Sequence, residues 1–396
     1  MPDSLAGRAF ALDGDVVADV VDAEAAIARF NVESAALADT EALARILLRA
    51  ESAASSRIEG LEIGARRLLR AEAARQTGDE PRDVTVTEVL NNVDAMVYGV
   101  QSVHPGDQIT VDLLLEMHRR LLAGTRMERH GGRLREVQNW IGGSDYNPCS
   151  AAYVPPPPEF VAELLEDLAA FCNDDGLPPV AQAALAHAQF ETIHPFVDGN
   201  GRTGRALIHL VFRRRGIAQR VLPPVSLVLA TWLQDYVRGL AATRYRGPLT
   251  ARQAHEGTNL WIGRFATAAT LAVRDAATFE KRAHDIEALW RERLGRVRAR
   301  SAADLLLRRL VGAPVVTVSS AAELIGRSYV QTNQAIKRLA DADILKQVNV
   351  GRRNRAYEAP EIIDAFTDLE RQPASPEGNT LSGQPSRRVP RRGSLS

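Results

Sequence analysis

Residues 194–205 read His-Pro-Phe-Val-Asp-Gly-Asn-Gly-Arg-Thr-Gly-Arg, and no other stretch of the chain constrains its folding as closely. Pro195 ends the helix that the pattern over Val180–Thr192 predicts, because proline cannot continue the hydrogen-bond ladder. Gly199 and Gly201 flank Asn200, so the backbone there can take positive φ and approach a ligand closely. A second helix is expected from about Gly201 to Arg215, and its free N–H groups and positive dipole end favour phosphate. Arg202 and Arg205 lie three apart, hence on one face near that end, and guanidinium forks suit phosphate oxygens. Asp198 is a hard oxygen ligand placed for Mg²⁺. His194, at the end of the first helix, can take a proton near neutral pH. Phe196 is expected to anchor the loop in the core. Singly, a histidine before proline is a helix end and Gly-Asn-Gly is a turn. Jointly, these residues describe a metal-bound triphosphate held beside a base. The Gly-Lys-[Ser/Thr] of a P-loop and the signatures of a protein kinase are absent.

A length of 396 residues predicts two or three domains with a sizeable core. With 49 basic and 49 acidic residues, the chain is not a globally basic nucleic-acid binder, although a local basic patch stays open. Cys149 and Cys172 have no metal-type spacing and point to a reducing compartment without a disulfide framework. The first residues, MPDSLAGRAFALDGD, lack the charged-then-apolar pattern of a signal peptide. The apolar stretch Val221–Leu233 is too short to span a bilayer. A cytoplasmic protein with no membrane association is expected. His104, His118, His130, His209, His255 and His284 are scattered and read as structural or surface residues. His187, seven residues before His194, reads as packed rather than as a second base.

Most of the periodicity is helical. Thr40–Ala74 reads as two helices with a break around Ser55–Glu62, and Val84–Ser102 and Val111–Ala123 as two more. The glycines and prolines of Gly131–Pro158 mark an irregular segment, in which Val137–Ile141 and Ala152–Val154 can pair as a short hairpin. Helix is expected again at Glu159–Asn173, and further helices fill Ser226–Arg298. From Ser301 the character changes. Ser320 with Glu323 reads as a capping box, Gly326-Arg327 as a turn, and Ser328 with Gln331 as the cap of a second helix. Two strands, Ile344–Val350 and Arg355–Glu358, complete a winged-helix pattern. After Arg371 the composition predicts a disordered tail, in which Arg387, Arg388, Arg391 and Arg392 could add weak phosphate affinity.

The twelve-residue loop resembles the signature of the Fic (filamentation induced by cAMP) family, His-x-Phe-x-[Asp/Glu]-Gly-Asn-Gly-Arg-x-x-Arg, at every fixed position from His194 to Arg205. The segment ending in Tyr153-Val154-Pro155-Pro156 resembles the family's target-docking flap, and the likeness covers roughly residues 40–250. The resemblance implies a mainly α fold: a Fic-type helical bundle with a short β-hairpin flap, joined here to a C-terminal winged-helix domain. The implied organisation is an N-terminal helical region (1–105), the catalytic core (106–245), a helical connector (246–300), the winged helix (301–370) and the tail (371–396). It further implies transfer of AMP from ATP to a Ser, Thr or Tyr hydroxyl of a target protein. His194 would accept the proton. Asp198 would hold Mg²⁺. The amides of Gly199 to Gly201 and the Asn200 side chain would bind the α-phosphate, Arg202 the β-phosphate and Arg205 the γ-phosphate. Ala152, Tyr153 and Val154 would pair with the target backbone, and Tyr236 would lie by the adenine. Arg244 departs from the family pattern, where an Asn is often seen.

Ser55-Ser56-Arg57-Ile58-Glu59-Gly60 alone is an ordinary helix end, with Ser55 and Glu59 on one face. Beside the loop it matches the family's inhibitory pattern, [Ser/Thr]-x-x-x-Glu-[Gly/Asn], in its N-terminal class. Glu59 would then occupy Arg205 and deny it to the γ-phosphate. Two alternatives stay open: removal of AMP from a modified protein at the same site, and a nucleotide-sensing transcriptional regulator. DNA contacts would use Lys337, Arg338, Arg352, Arg353 and Arg355. Asp341 and Asp343 count against them, so a packing, dimerising or target-presenting role for the module is preferred. A homodimer is compatible with the sequence.

Overall fold

The computed structural model describes residues 1–37, 40–143, 147–350 and 354–371. The fold is mainly α, as expected. In chain order the helices are α1 (Gly14–Leu37), α2 (Thr40–Ile58), α3 (Ala65–Arg75), α4 (Val84–Ser102), α5 (Val111–Leu122), α6 (Val161–Cys172), α7 (Pro179–Ile193), α8 (Asn200–Arg214), α9 (Val225–Thr231), α10 (Leu233–Ala242), α11 (Arg252–Leu294), α12 (Ala302–Arg309), α13 (Val318–Ile325), α14 (Tyr329–Asp341) and α15 (Pro360–Arg371). The strands are β1 (Val315–Val316), β2 (Lys346–Val350) and β3 (Asn354–Glu358), in the antiparallel order β1-β3-β2. Among the described residues, no helix is long and apolar enough to cross a membrane.

Local chemistry sets several helix starts. The Thr110 hydroxyl accepts from the Leu113 N–H and opens α5. Ser328 and Gln331 form the expected reciprocal box at α14. The box expected at Ser320 and Glu323 is displaced by one turn. Thr317 caps α13, and Ser320, at the third helical position, accepts from the Thr317 N–H at 3.0 Å. A serine hydroxyl thereby does the work usually given to Glu or Gln. Gly326, at φ 60°, ends α13.

The chain forms two compact units. The first comprises Met1–Ala28, Asn91–Gln219 and Trp232–Thr270. Its centre is α7, which is buried from Val180 to Ile193 and packs on α6 and α8. Five alanines along α7 keep its surface thin, so its neighbours come close. Trp261 of α11 is fully buried and donates its indole N–H to the Ala184 carbonyl at 2.7 Å. Gly239 of α10 leaves room for that indole, and Gly257 of α11 lies against the Ala242 carbonyl; a methyl group at either glycine would collide. Cys172 is buried, and burial pushes its thiol up to about 12, whereas Cys149 is exposed.

The second unit comprises Arg29–Leu90, Arg220–Thr231 and the chain from Leu271 onward. Helix α2 packs on α9, where the buried Glu51 carboxylate accepts from the Ser226 N–H at 2.8 Å and from its hydroxyl. Arg49 forks onto Glu72 of α3 at 2.7 and 2.8 Å, and Arg70 reaches Glu358 of β3. β1 is too short to have been read from the sequence. It pairs Val316 with Tyr357, while β2 pairs Val348 with Ala356. α15 follows the hairpin, its burial of Ile362, Ile363, Phe366 and Leu369 giving it a clear inner face. Arg352, Arg353 and the tail arginines lie outside the described residues.

Candidate active site

His194 is the cap residue of α7, with φ 49° and ψ 61°. A left-handed backbone costs a residue with a Cβ about 1–2 kcal/mol, so its surroundings must hold it. The holder is Arg135, whose side chain the sequence reading does not single out. Arg135 is 2% exposed. Its Nε donates to the His194 carbonyl at 2.9 Å, and its Nη2 to the carbonyls of Ile193 at 3.3 Å and Pro156 at 2.5 Å. Its Nη1 donates to Val137 at 3.3 Å, and its own N–H to Pro195 at 2.9 Å. One buried guanidinium therefore ties the end of α7 to the segment before the flap. The imidazole itself is 20% exposed, with Nδ1 3.8 Å from Glu191 Oε2. That carboxylate attracts the charge that appears when the ring takes a proton.

The loop after His194 is clamped from below. Phe196 is buried and stacks on His118, with ring centroids 3.6 Å apart and planes 6° from parallel. His118 Nδ1 accepts from the Gly132 N–H at 3.1 Å, so Nε2 carries the proton and donates to the Asp198 carbonyl at 2.9 Å. The ring is neutral, burial having pushed its pKa down to about 4. His118, read from sequence as structural or surface, is thus the fixed support of the Asp198 turn. Because its pKa lies below the unfolded value of 6.5, its stabilising effect is present above pH 6.5 and is lost as pH falls through about 4. We expect His118→Gln to remove part of the acid-side drop in thermal midpoint, up to roughly 3 kcal/mol. Unfolding curves of both proteins at a series of pH values check this; identical pH profiles would refute it.

Asn200 corrects an expectation. Its side chain, expected on phosphate oxygens, accepts from the Phe196 N–H at 2.8 Å and donates to the Phe196 carbonyl at 2.9 Å. It closes the loop on itself, which leaves the backbone amides at the start of α8 as the groups open to an anion. Gly199 caps α8 at φ 77°, and a Cβ there would press on Leu121 and His118. Glycine is required on both counts.

Arg202 and Arg205 are 3% and 1% exposed. Arg202 Nη2 stands 3.4 Å from Asp198 Oδ2, whose carboxylate is half-exposed. Arg205 Nη1 reaches the Tyr236 hydroxyl at 3.5 Å, and that hydroxyl is 2.8 Å from His187 Nε2. Tyr236, expected beside the adenine, is instead buried and stacked near-parallel to His187, so it positions Arg205 rather than offering a face to a base. His187 is packed as expected; burial, helped by the Arg205 charge, drives its pKa down to about 3.

Among the described residues, the expected flap hairpin shows an antiparallel bridge from Ile141 to Tyr153. The Ile141 N–H donates to Tyr153 at 2.8 Å and the Ala152 N–H to Ile141 at 2.8 Å. Pro155 and Pro156 follow at once, and without N–H groups they cannot extend the ladder. Ala152 and Val154 are exposed, while Tyr153 is anchored. The Tyr153 hydroxyl donates to the Thr192 carbonyl at 3.0 Å, and the ring lies under the Arg244 guanidinium at 3.8 Å. Arg244 also donates to the Glu191 carbonyl at 3.1 Å. The residue that departs from the family pattern thus braces the flap.

In the second unit, α2 ends at Ile58, with Ser55 buried and Glu59 exposed. Glu59 is therefore the cap residue rather than a member of the helix face shared with Ser55. Its N–H donates to Ser56 at 3.0 Å, and the Leu61 N–H to the same carbonyl at 3.0 Å across Gly60 at φ 79°.

Residues 108–212 match the model of the Fic/DOC family, and residues 17–101 that of the Fic/DOC family N-terminal region. These two segments of the chain thus resemble the Fic/DOC family. The Fic/DOC match contains His118, Arg135, the flap and the whole of the His194–Arg205 loop; the N-terminal match contains Ser55 and Glu59. The chain is 38% identical over 133 residues to protein adenylyltransferase fic-1 of Caenorhabditis elegans, covering 33% of this chain and 23% of that protein. It is 37% identical over 139 residues to protein adenylyltransferase Fic of Drosophila grimshawi, covering 34% and 27%. The chain thus spans about a quarter of the length of these curated relatives. A Fic family protein from Desulfovibrio desulfuricans G20 shares the fold, with a TM-score of 0.55 and 20% identity over 88% of this chain and 97% of that one.

Proposed function

We propose that this protein is a self-inhibited adenylyltransferase that moves AMP from ATP to a Ser, Thr or Tyr hydroxyl of a target protein. The observation that carries the reading is the loop closed by Asn200 onto Phe196. It leaves the partly exposed imidazole of His194 at one end and the first turn of α8, with Arg202 and Arg205, at the other.

In this reading the target oxygen attacks the α-phosphorus while its proton passes to His194. The bond from the α-phosphorus to the bridging oxygen breaks, and pyrophosphate leaves. Glu191 offsets the charge gained by the ring. The amides at Gly199, Asn200 and Gly201 and the positive end of α8 hold the α-phosphate, Arg202 the β-phosphate and Arg205 the γ-phosphate. Positioning and charge stabilisation supply the rate, with no covalent help from the enzyme. Among the described residues, no cluster of three or more His, Cys, Asp or Glu could hold a metal by itself. A single half-exposed carboxylate at a phosphate site nonetheless suits Mg²⁺, which binds through one or two carboxylates and the nucleotide's own phosphates. Asp198 would hold it, and bound there the ion would neutralise phosphate charge. The exposed edge at Ala152 and Val154 would receive the target backbone as an added strand.

Glu59 is the brake in this reading, a carboxylate that competes with the γ-phosphate for a guanidinium. Glu59→Gly incubated with ATP and Mg²⁺ should gain one AMP in intact mass, at a rate about tenfold or more above wild type. No mass gain in the variant, or equal gain in both proteins, would remove self-inhibition from the account. The order helix, strand, helix, helix, hairpin from α12 to β3 supports reading residues 301–370 as a winged-helix module.

A further inference from the structure

Helix α14 divides cleanly. Thr332, Ala335, Ile336 and Leu339 are buried. Tyr329, Val330, Asn333, Gln334 and Lys337 form the opposite face, and all five are exposed. Tyr329 is 59% and Val330 65% exposed, which is costly for large apolar side chains. The composition of this face is that of a base-reading surface. Asn and Gln match the paired donor and acceptor of adenine, and a Val methyl suits the methyl of thymine.

A second observation concerns charge. The segment Arg296-Val297-Arg298-Ala299-Arg300 is held against α14 and the turn before it. Arg338 donates to the carbonyls of Leu294 at 3.2 Å and Arg296 at 2.7 Å, and Arg327 to that of Arg300 at 3.2 Å. Arg296, Arg298 and Arg300 are exposed, as are Arg327 and Lys337, and residues 324–340 contain no carboxylate. Asp341 is the last residue of α14, about 18 Å along the axis from Tyr329, and Asp343 follows the helix. Asp341 is exposed and shares the face of Gln334 and Lys337, about 10 Å beyond Gln334 along the axis, so the carboxylates lie at the far end of this surface. Across the sheet, Lys346, Gln347 and Arg355 are also exposed.

We propose that this face of α14 enters the major groove of double-stranded DNA, with Asn333 and Gln334 reading base edges and the arginines of 296–300 gripping the flanking phosphates. Adjacent apolar and amide side chains, ringed by cations and with carboxylates confined to the far end of the helix, complement a groove walled by phosphate. The inference does not rest on nucleotidyl transfer and fails or stands separately from it.

The test is selection of the full-length protein against a pool of short DNA duplexes with randomised centres, at physiological ionic strength, followed by sequencing. Enrichment of a defined sequence is expected. Asn333→Ala with Gln334→Ala should lose about tenfold in affinity for that sequence while keeping the affinity for unselected duplex. Lys337→Ala should weaken both and lower the salt slope by about 1. Val330→Glu, a second change on this exposed face, should abolish binding by setting a carboxylate against phosphate. An unenriched pool overturns the proposal. So does enrichment that survives the Asn333/Gln334 change, or equal capture of duplex RNA, whose narrow major groove excludes a helix.

Discussion

An alanine at position 194 should lower AMP transfer by about 10²–10⁴-fold, the usual contribution of a positioned base, while nucleotide binding persists. The two halves of that result follow from where His194 sits. Its ring is the partly exposed group at the loop's near end, beside Glu191, so truncation removes the proton acceptor. The amides at the start of α8 belong to a turn held by Asn200, Phe196 and His118. The experiment is labelled-ATP incorporation in the Glu59→Gly background, with calorimetric nucleotide binding alongside. Incorporation within tenfold of the parent would eliminate His194 as the base. Loss of nucleotide binding would recast it as a loop support.

Arg135→Ala should destabilise the first unit by about 3 kcal/mol, because it strips donors from four carbonyls, those of Ile193 and Pro156 in buried bonds and those of His194 and Val137 in part-buried ones. Arg135→Lys is the informative partner. A lysine supplies one compact cation instead of a planar fork, so it can satisfy one or two of the four carbonyls. The folded Lys variant should show a kcat reduced by about tenfold or more with KM for ATP little changed, since the cap of α7 is loosened while the start of α8 is not. Thermal unfolding and steady-state kinetics of the two variants decide the matter. Wild-type midpoint and kcat in Arg135→Ala would mean that the carbonyls find other donors and that the cap stands without the guanidinium.

The features legible in the sequence are those written locally. Helices α4 and α5 match the predicted spans because amphipathic spacing and a threonine cap act within one or two turns. The catalytic loop is legible because its glycines, acid, base and arginines are adjacent in the chain. What escaped is long-range. Arg135 meets His194 across 59 residues, and His118 meets Asp198 across 80. No local pattern marks either as more than a charged or aromatic residue on a helix or loop. Asn200 and Tyr236 were placed on the ligand because their chemistry allows it, and the fold uses that chemistry internally instead. Beyond Ile141 and Tyr153 the pairing stops for a reason present in the sequence, the paired prolines after Val154.

The contrast between the two thiols has a practical consequence. Cys149 lies exposed in the short turn Pro148–Ser150 beside the flap, and Cys172 is buried and held protonated far above neutrality. A maleimide dye reacts through thiolate, so it should attach at the first and ignore the second. The chain thus carries a single handle for fluorescence between Ile141 and Tyr153, and no cysteine needs to be added or removed to use it.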